Sequence, residues 1–171
     1  MVIKQCVVWC CVGMSLAACS AQAPQAGPGV PTIGAPPAQG GEQEAVTAVY
    51  TEFWKVSWIG KREPDEQWAH DVRDVSGDPI AGRVIERSRA QRASGVALYG
   101  TVTTRVTDVR VDGDRATVTD CQDASHSGQA DAATGEPRTV GVARNPVRGT
   151  LTQVPGQRWK VVDITYPGGD C

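Results

Sequence analysis

Apolar residues near the start of the folded region recur every three or four positions, which is the spacing of one face of an α-helix. The stretch EQEAVTAVYTEFWKVSWIGK at 42–61 predicts such a helix, and we expect the helix to end near Gly60. Its predicted inner face consists of apolar and aromatic residues: Val46, Val49, Tyr50, Phe53, Trp54 and Trp58. The first predicted element is therefore an amphipathic helix with an aromatic inner face.

Two more helices are predicted before the pattern changes. A short one fits 65–71, because a proline just before a helical start and an acidic residue in the first turn are both favourable. The other fits 79–93, with Asp78 as its N-cap and Gly95 beyond its end. Its predicted inner face contains Ile80, Val84 and Ile85.

Beyond the third helix, apolar and polar residues alternate, which is typical of β-strands. The first strand, 98–111, changes phase near 107–108, and this shift predicts a β-bulge. The Asp-Gly-Asp sequence at 112–114 predicts a hairpin turn. On the return strand, 115–121, Asp120 shares a face with apolar residues.

The rest of the chain predicts a polar loop and two further strands. The loop occupies 122–137, and the strands occupy 138–154 and 157–166, with a turn at 155–156 between them. Helices followed by a run of strands predict an α+β fold. We expect three N-terminal helices packed on a curved antiparallel four-stranded sheet.

The first 41 residues differ from the rest in composition. An uncharged apolar run at 6–18 follows a single cation, Lys4, and is shorter than the roughly 20 residues that a membrane-spanning helix needs. The following 22 residues contain five of the eleven prolines and no charged side chain. Such a segment cannot offset its ordering entropy by burial. We therefore predict a signal peptide at 1–18, a tether at 19–41 and one domain at 42–171.

The apolar run ends in Leu16-Ala17-Ala18-Cys19, which resembles the lipobox of bacterial lipoproteins. The resemblance implies that Cys19 is lipidated and that the protein is anchored at the extracytoplasmic face of the bacterial cell membrane. The alternatives are an ordinary cleaved secretory signal and a retained membrane helix.

Cysteine usage agrees with export. Three of the six cysteines lie in the predicted signal peptide and Cys19 closes it, so two remain in the domain, Cys121 and Cys171. In an oxidising compartment we expect this pair to form a disulfide, because the second and fourth strands of an up-and-down sheet end on the same side. Two unpaired thiols or a reactive nucleophile are the alternatives.

Three motifs cover most of the predicted domain: VYTEFW, VTDVRVDGDRATVTDC and GQRWKVVDITYPGGDC. Together with the order of elements, they carry a resemblance to the nuclear transport factor 2-like superfamily, a cone-shaped fold shared by polyketide cyclase-like and ketosteroid isomerase-like proteins. More narrowly, the chain is similar to small actinobacterial lipoproteins built from a lipobox, a tether and one such domain. These motifs are architectural, so the resemblance implies a fold rather than an activity.

Charge and chemistry narrow the function further. The net charge of −2 disfavours nucleic-acid binding, and we expect neither a cofactor nor a metal. We predict a structural role for Asp120 at its strand end and a half-exposed surface position for His70. His126 lies in the predicted loop between two serines, with no nucleophile elbow around it. Four arginines of the third helix, interrupted by Glu86, are predicted to form a solvated face: Arg83, Arg87, Arg89 and Arg92.

Two functions remain open. We prefer a non-catalytic envelope lipoprotein whose domain binds a small apolar ligand, a cell-wall component or a protein partner. The alternative is an enzyme of the cyclase, isomerase or dehydratase type that works in the same cavity. The candidate pocket residues are Tyr50, Trp54, Val106, Asp120 and Trp159.

Overall fold

Three helices come first in the structure, which is a computed structural model describing residues 39–58 and 64–171. They are α1 (Gln39–Ser57), α2 (Glu66–Val75) and α3 (Ile80–Ala93). Helix α1 begins three residues before the predicted domain start at 42, and the expected stop, Gly60, lies outside the described residues. No helix in the described part of the chain is long and apolar enough to cross a membrane.

Hydrogen bonds, burial and backbone conformation explain where α2 and α3 begin and end. Asp65 caps α2, because its carboxylate accepts a hydrogen bond of 2.7 Å from the backbone N–H of Trp68. Helix α2 continues four residues past the predicted end, because its last turn buries Val72 and Val75. At α3 the N-cap is Pro79, so the prediction of Asp78 was wrong by one residue. The predicted stop is confirmed: Gly95 has a φ of 70°, which glycine adopts easily.

Six strands follow, and they form two antiparallel sheets. The larger sheet has the order β2-β3-β5-β6, and the smaller one pairs β1 with β4. The strands are β1 (Val96–Gly100), β2 (Val106–Asp112), β3 (Arg115–Gln122), β4 (Ser127–Asp131), β5 (Asn145–Thr152) and β6 (Lys160–Thr165). The α+β class and the four-stranded antiparallel sheet are therefore confirmed.

The first hairpin is the best-predicted part of the sheet. Residues Asp112 and Arg115 pair across a two-residue turn, in which Gly113 has a φ of 58°. The register between β2 and β3 shifts between Val106 and Asp108, where the bulge was predicted. Asp120 lies on the buried face of β3, together with Val118.

The two-stranded sheet was not predicted. The expected single strand at 98–111 is divided between β1 and β2, and the expected loop at 122–137 contains β4, which pairs with β1. Strand β4 reads Ser-Gly-Gln-Ala-Asp and contains no large apolar residue, so its sequence carries none of the usual strand signals. It becomes a strand because β1 and the segment at 138–141 supply backbone hydrogen-bond partners on its two sides.

The main core lies between α1 and the four-stranded sheet. Tyr50 and Phe53 of α1 belong to one buried cluster with Val118, Leu151 and Val161 of the strands. A second buried cluster joins α2 to α3 through Trp68, Val72, Ala69, Ala81 and Ile85. The helices thus form one layer and the larger sheet the other, as expected for an α+β domain.

Candidate functional site

A cleft of about 450 Å³ lies beside the main core. Its walls are the end of α1, one face of α3, the two-stranded sheet, the segment at 139–141 and the end of the chain near β6. The indole N–H of Trp58 donates a hydrogen bond of 3.1 Å to the carbonyl of Tyr99, which ties the end of α1 to β1. The cleft therefore depends on the small sheet that the sequence did not reveal.

Much of the cleft wall is apolar. Phe53 and Trp54 pack edge to face, with ring centroids 5.5 Å apart and an interplanar angle of 74°. This geometry is one of the preferred arrangements of aromatic pairs. The other apolar lining residues include Ile80, Val84, Leu98, Val140 and Ile164. Tyr166 and Val140 also line the cleft and remain 59% and 66% exposed, so they form part of its rim.

Two arginines of α3 are the charged residues among the described lining side chains. Arg83 is paired with Asp163 at 2.8 Å. Arg87, one turn further along α3, makes no ion pair or hydrogen bond with the described residues. The described lining thus includes no carboxylate, histidine, lysine or cysteine.

One polar atom of the lining residues, the hydroxyl oxygen of Ser57 near the end of α1, is buried without a hydrogen-bond partner in the described residues. The indole N–H of Trp54 is buried next to the hydroxyl of Tyr50. Leaving a buried polar group without a partner costs roughly 1–3 kcal/mol. The hydroxyl oxygen of Ser57 is also closed to solvent, so a ligand in the cleft does not contact it in this arrangement.

The structure separates the five predicted pocket residues. Trp54 lines the cleft, whereas Tyr50, Asp120 and Trp159 are buried in the core and are absent from its described lining. Val106 is partly buried and lines a different groove, between α1 and β2. Sequence alternation found buried positions correctly, but burial alone does not distinguish a core residue from a cavity residue.

Asp120 and Tyr50 form a buried pair. The hydroxyl of Tyr50 donates to one carboxylate oxygen of Asp120 at 2.9 Å, and the backbone N–H of Arg105 donates to the other at 2.6 Å. Burial raises the pKa of Asp120, and the two hydrogen bonds oppose that rise. Burial, reinforced by the nearby Asp120, also raises the pKa of Tyr50, which keeps the phenol protonated as a donor. The backbone contact agrees with the structural role predicted for Asp120.

The two histidines and the two cysteines of the domain are absent from the described lining of the cleft. His70 is exposed, in agreement with the surface position predicted for it, and His126 is exposed as well. Cys121 and Cys171 form the predicted disulfide, with Cα atoms 5.6 Å apart. No cluster of three metal-ligating side chains occurs within residues 39–58 and 64–171. Cys19 lies outside the described residues.

Helix α3 has a role in the cleft that its sequence pattern did not reveal. Arg83, Arg87 and Arg89 are exposed, as expected for a solvated face, but Arg83 and Arg87 also line the cleft, whereas Arg89 pairs with Glu66 at 2.6 Å. Residues 83, 84, 87, 88 and 91 all line the cleft, and this spacing of three and four could have separated the two groups.

No similarity to a known protein identifies the family of this chain. No protein-family model matches the chain, and no curated protein matches it. Among solved structures, the chain is similar to a de novo designed β-sheet protein determined by solution NMR, with 19% identity and a TM-score of 0.37. The match covers 74% of this chain and 89% of the designed protein. At this TM-score the similarity supports no argument about fold or function.

Proposed function

We propose that this protein is an exported, lipid-anchored protein of the bacterial cell envelope whose domain binds a small, mostly apolar ligand in the cleft. The observation that carries this proposal is the cleft itself. Its volume falls within the roughly 300–1,000 Å³ range of small-molecule sites, and its lining combines an apolar wall with a few polar groups.

The lining chemistry favours binding over catalysis. Proton transfer needs a titratable group close to the reacting atom. The arginines of the described lining stay protonated and do not act as bases at ordinary pH. The other titratable lining group is the phenol of Tyr166, and burial raises its pKa, so it stays neutral as well. The cleft can therefore hold and orient a ligand with the groups it presents.

Export and anchoring are supported by the first part of the chain and by the disulfide. The LAAC sequence at 16–19 closes an uncharged apolar run and precedes a proline-rich segment. A disulfide between Cys121 and Cys171 is typical of proteins that mature in oxidising compartments. We propose on these grounds a lipid on Cys19 and a location at the extracytoplasmic face of the membrane.

The finer fold assignment is part of the same proposal. We propose that the domain belongs to the nuclear transport factor 2-like superfamily, as in small actinobacterial lipoproteins. Support comes from three helices followed by an antiparallel meander and from the amphipathic α1 against the sheet. In this proposal the cleft corresponds to the mouth of the cone.

Ligand binding is tested with N-phenyl-1-naphthylamine, an uncharged dye whose fluorescence rises in apolar sites. We expect the dye to bind, and Val140→Glu to weaken binding three- to tenfold because it places a charge at the cleft rim. Val142→Glu is the matched control, since Val142 is 57% exposed and is absent from the described lining. Absence of dye binding, or equal loss in both variants, would contradict the proposal.

The anchor is tested by expressing Cys19→Ala and fractionating the cells. We expect the variant to be released from the membrane or to remain unprocessed, because the thiol that accepts the lipid is gone. Cys11→Ala changes another cysteine of the same segment and leaves LAAC intact, so it should behave like the natural protein. A Cys19→Ala protein that stays in the membrane at its mature size would refute lipidation.

An enzyme of the cyclase, isomerase or dehydratase type remains the alternative. The hydrogen bond between Tyr50 and Asp120 joins an acid to a hydroxyl, which are the groups such chemistry uses, but both residues are absent from the described lining of the cleft. Under our proposal, Asp120→Asn changes dye affinity little. A hundredfold loss of turnover on a steroid-like or polyketide-like substrate in this variant would instead establish the enzyme, and corresponds to about 2.7 kcal/mol.

A further inference from the structure

We infer that the cleft takes a single-chain amphiphile with a carboxylate head, of the long-chain fatty acid type, and that Arg87 binds the head. This inference rests on the proposed function, because it assumes that the cleft binds a ligand at all. It goes further by assigning the ligand's charge and the residue that recognises it.

The charge of the cleft is the first argument. Both charged side chains in the described lining are cationic, and Arg83 is already neutralised by Asp163. Arg87 therefore contributes one positive charge that the described residues do not balance. A ligand with one negative charge matches this arrangement, whereas a cationic ligand would be repelled.

The chemistry of the guanidinium is the second argument. Arginine presents its N–H donors in a planar fork, which binds a carboxylate through two parallel hydrogen bonds. Ser88 and Gln91 line the cleft next to Arg87 on the same face of α3, and both side chains carry hydrogen-bond donors. Glu86, the acid closest in sequence, is exposed and is absent from the described lining. No acid on this face of α3 competes for Arg87.

The apolar residues of the cleft wall indicate what the tail of the ligand is. Phe53, Trp54, Leu98 and Ile164 offer apolar surface and no charge. A flexible methylene chain suits such a wall, because its affinity comes from removing apolar surface from water and needs no directional contacts. The half-exposed Tyr166 at the rim has the amphipathic character common where apolar and aqueous regions meet.

The test compares three ligands with the same chain and different heads: dodecanoate, 1-dodecanol and dodecyltrimethylammonium, each below its micelle concentration. Each is titrated at pH 8 as a competitor of the uncharged dye. We expect dodecanoate to bind about tenfold more tightly than dodecanol, and the ammonium to bind most weakly. Raising the salt concentration should narrow the gap between dodecanoate and dodecanol.

Substitutions in α3 test where the carboxylate head of the ligand binds. Arg87→Gln should weaken dodecanoate binding about tenfold and change dodecanol binding by less than twofold. Arg87→Lys should recover part of the loss, because it keeps the charge and loses the fork. Arg89→Gln removes the same charge from the same helix at a position absent from the described lining, and should leave both ligands unaffected.

The outcomes separate this inference from the function on which it rests. If the dye binds but dodecanoate and dodecanol bind equally, or if Arg87→Gln weakens both alike, the carboxylate assignment is wrong and ligand binding stands. If the dye binds and none of the three competes, the single-chain amphiphile is wrong. If the dye does not bind either, both the proposed function and this inference fail.

Discussion

At the scale of single residues, the buried carboxylate of Asp120 is held by two hydrogen bonds. Burial favours its neutral form, whereas the hydrogen bonds from Arg105 and Tyr50 favour its charged form. Both oxygens have a donor, so the cost of burying the group is largely met. The stability of the domain therefore depends on a donor that sits seventy residues away in sequence.

Tyr50→Phe removes that donor and keeps the ring. We expect the free energy of unfolding to fall by about 1–3 kcal/mol, because one oxygen of a buried carboxylate loses its partner. Tyr166→Phe is the control, since the Tyr166 hydroxyl makes no hydrogen bond with the described residues and its side chain is half-exposed. Urea denaturation at pH 7 measures both. Equal stability of the two variants would show that the pair contributes nothing.

The hydrogen bonds to Asp131 predict that the stability of the domain depends on pH. The backbone N–H of Thr134, the guanidinium of Arg138 and the backbone N–H of Ala133 lower its pKa to about 2. The ionised form is stabilised in the folded state, so this contribution is present above about pH 4 and is lost as the pH falls towards 2. Asp131→Asn should melt below the natural protein at pH 7, and the difference in Tm should shrink by pH 2.5. A difference that stays constant with pH would contradict this assignment.

At the scale of elements, Gly149 shows how β5 accommodates α1. A Cβ atom at this position would lie 2.7 Å from the ring of Tyr50, so the strand and the helix can approach only because the side chain is absent. Tyr50 cannot move away easily, because it is fully buried and its hydroxyl is bonded to Asp120. The packing of α1 on the sheet therefore depends on one glycine.

Gly149→Ala is expected to destabilise the domain by about 1–3 kcal/mol, the usual cost of overpacking a core. Gly41→Ala should do the opposite and stabilise by about 0.5–1 kcal/mol, because Gly41 lies in α1 with open space around it. Chemical denaturation shows whether the free energy of unfolding rises or falls in each variant. A Gly149→Ala variant as stable as the natural protein would contradict the close contact between β5 and the ring of Tyr50.

At the scale of the whole molecule, the disulfide ties the end of the chain to the larger sheet. Cys121 lies in β3, and Cys171 is its partner 50 residues later. Between them the chain contributes β4, β5 and β6, and much of the cleft wall. A cross-link over this length restricts the unfolded chain strongly, and the chain-entropy model assigns it about 4 kcal/mol.

Cys171→Ala should therefore lower the free energy of unfolding by about 2–5 kcal/mol. Cys171 is exposed, so the substitution disturbs little packing. Reducing the natural protein with dithiothreitol should give a similar loss in urea denaturation, which serves as the control without a mutation. Unchanged stability in both experiments would show that the cross-link does not constrain the unfolded state.

The sequence predicted the elements whose signals are local. The periodicity of α1, the turn at 112–114 and the bulge at 107–108 depend on residues that are neighbours in sequence or within one hairpin. The pairing of Cys121 with Cys171 followed from a count of cysteines and from the order of the strands. Such features are accessible because backbone conformation and side-chain periodicity act over short distances.

What only the tertiary structure decided is the smaller sheet and the cleft beside it. Strand β4 forms through backbone hydrogen bonds to β1 and to the segment at 138–141, and backbone groups are the same in every residue. The periodicity of the sequence predicted that Tyr50, Trp54 and Asp120 are buried. Only the packing of the elements decided that Trp54 lines the cleft while Tyr50 and Asp120 pair in the core. Burial is encoded residue by residue, whereas a cavity exists only where several elements fail to fill the space between them.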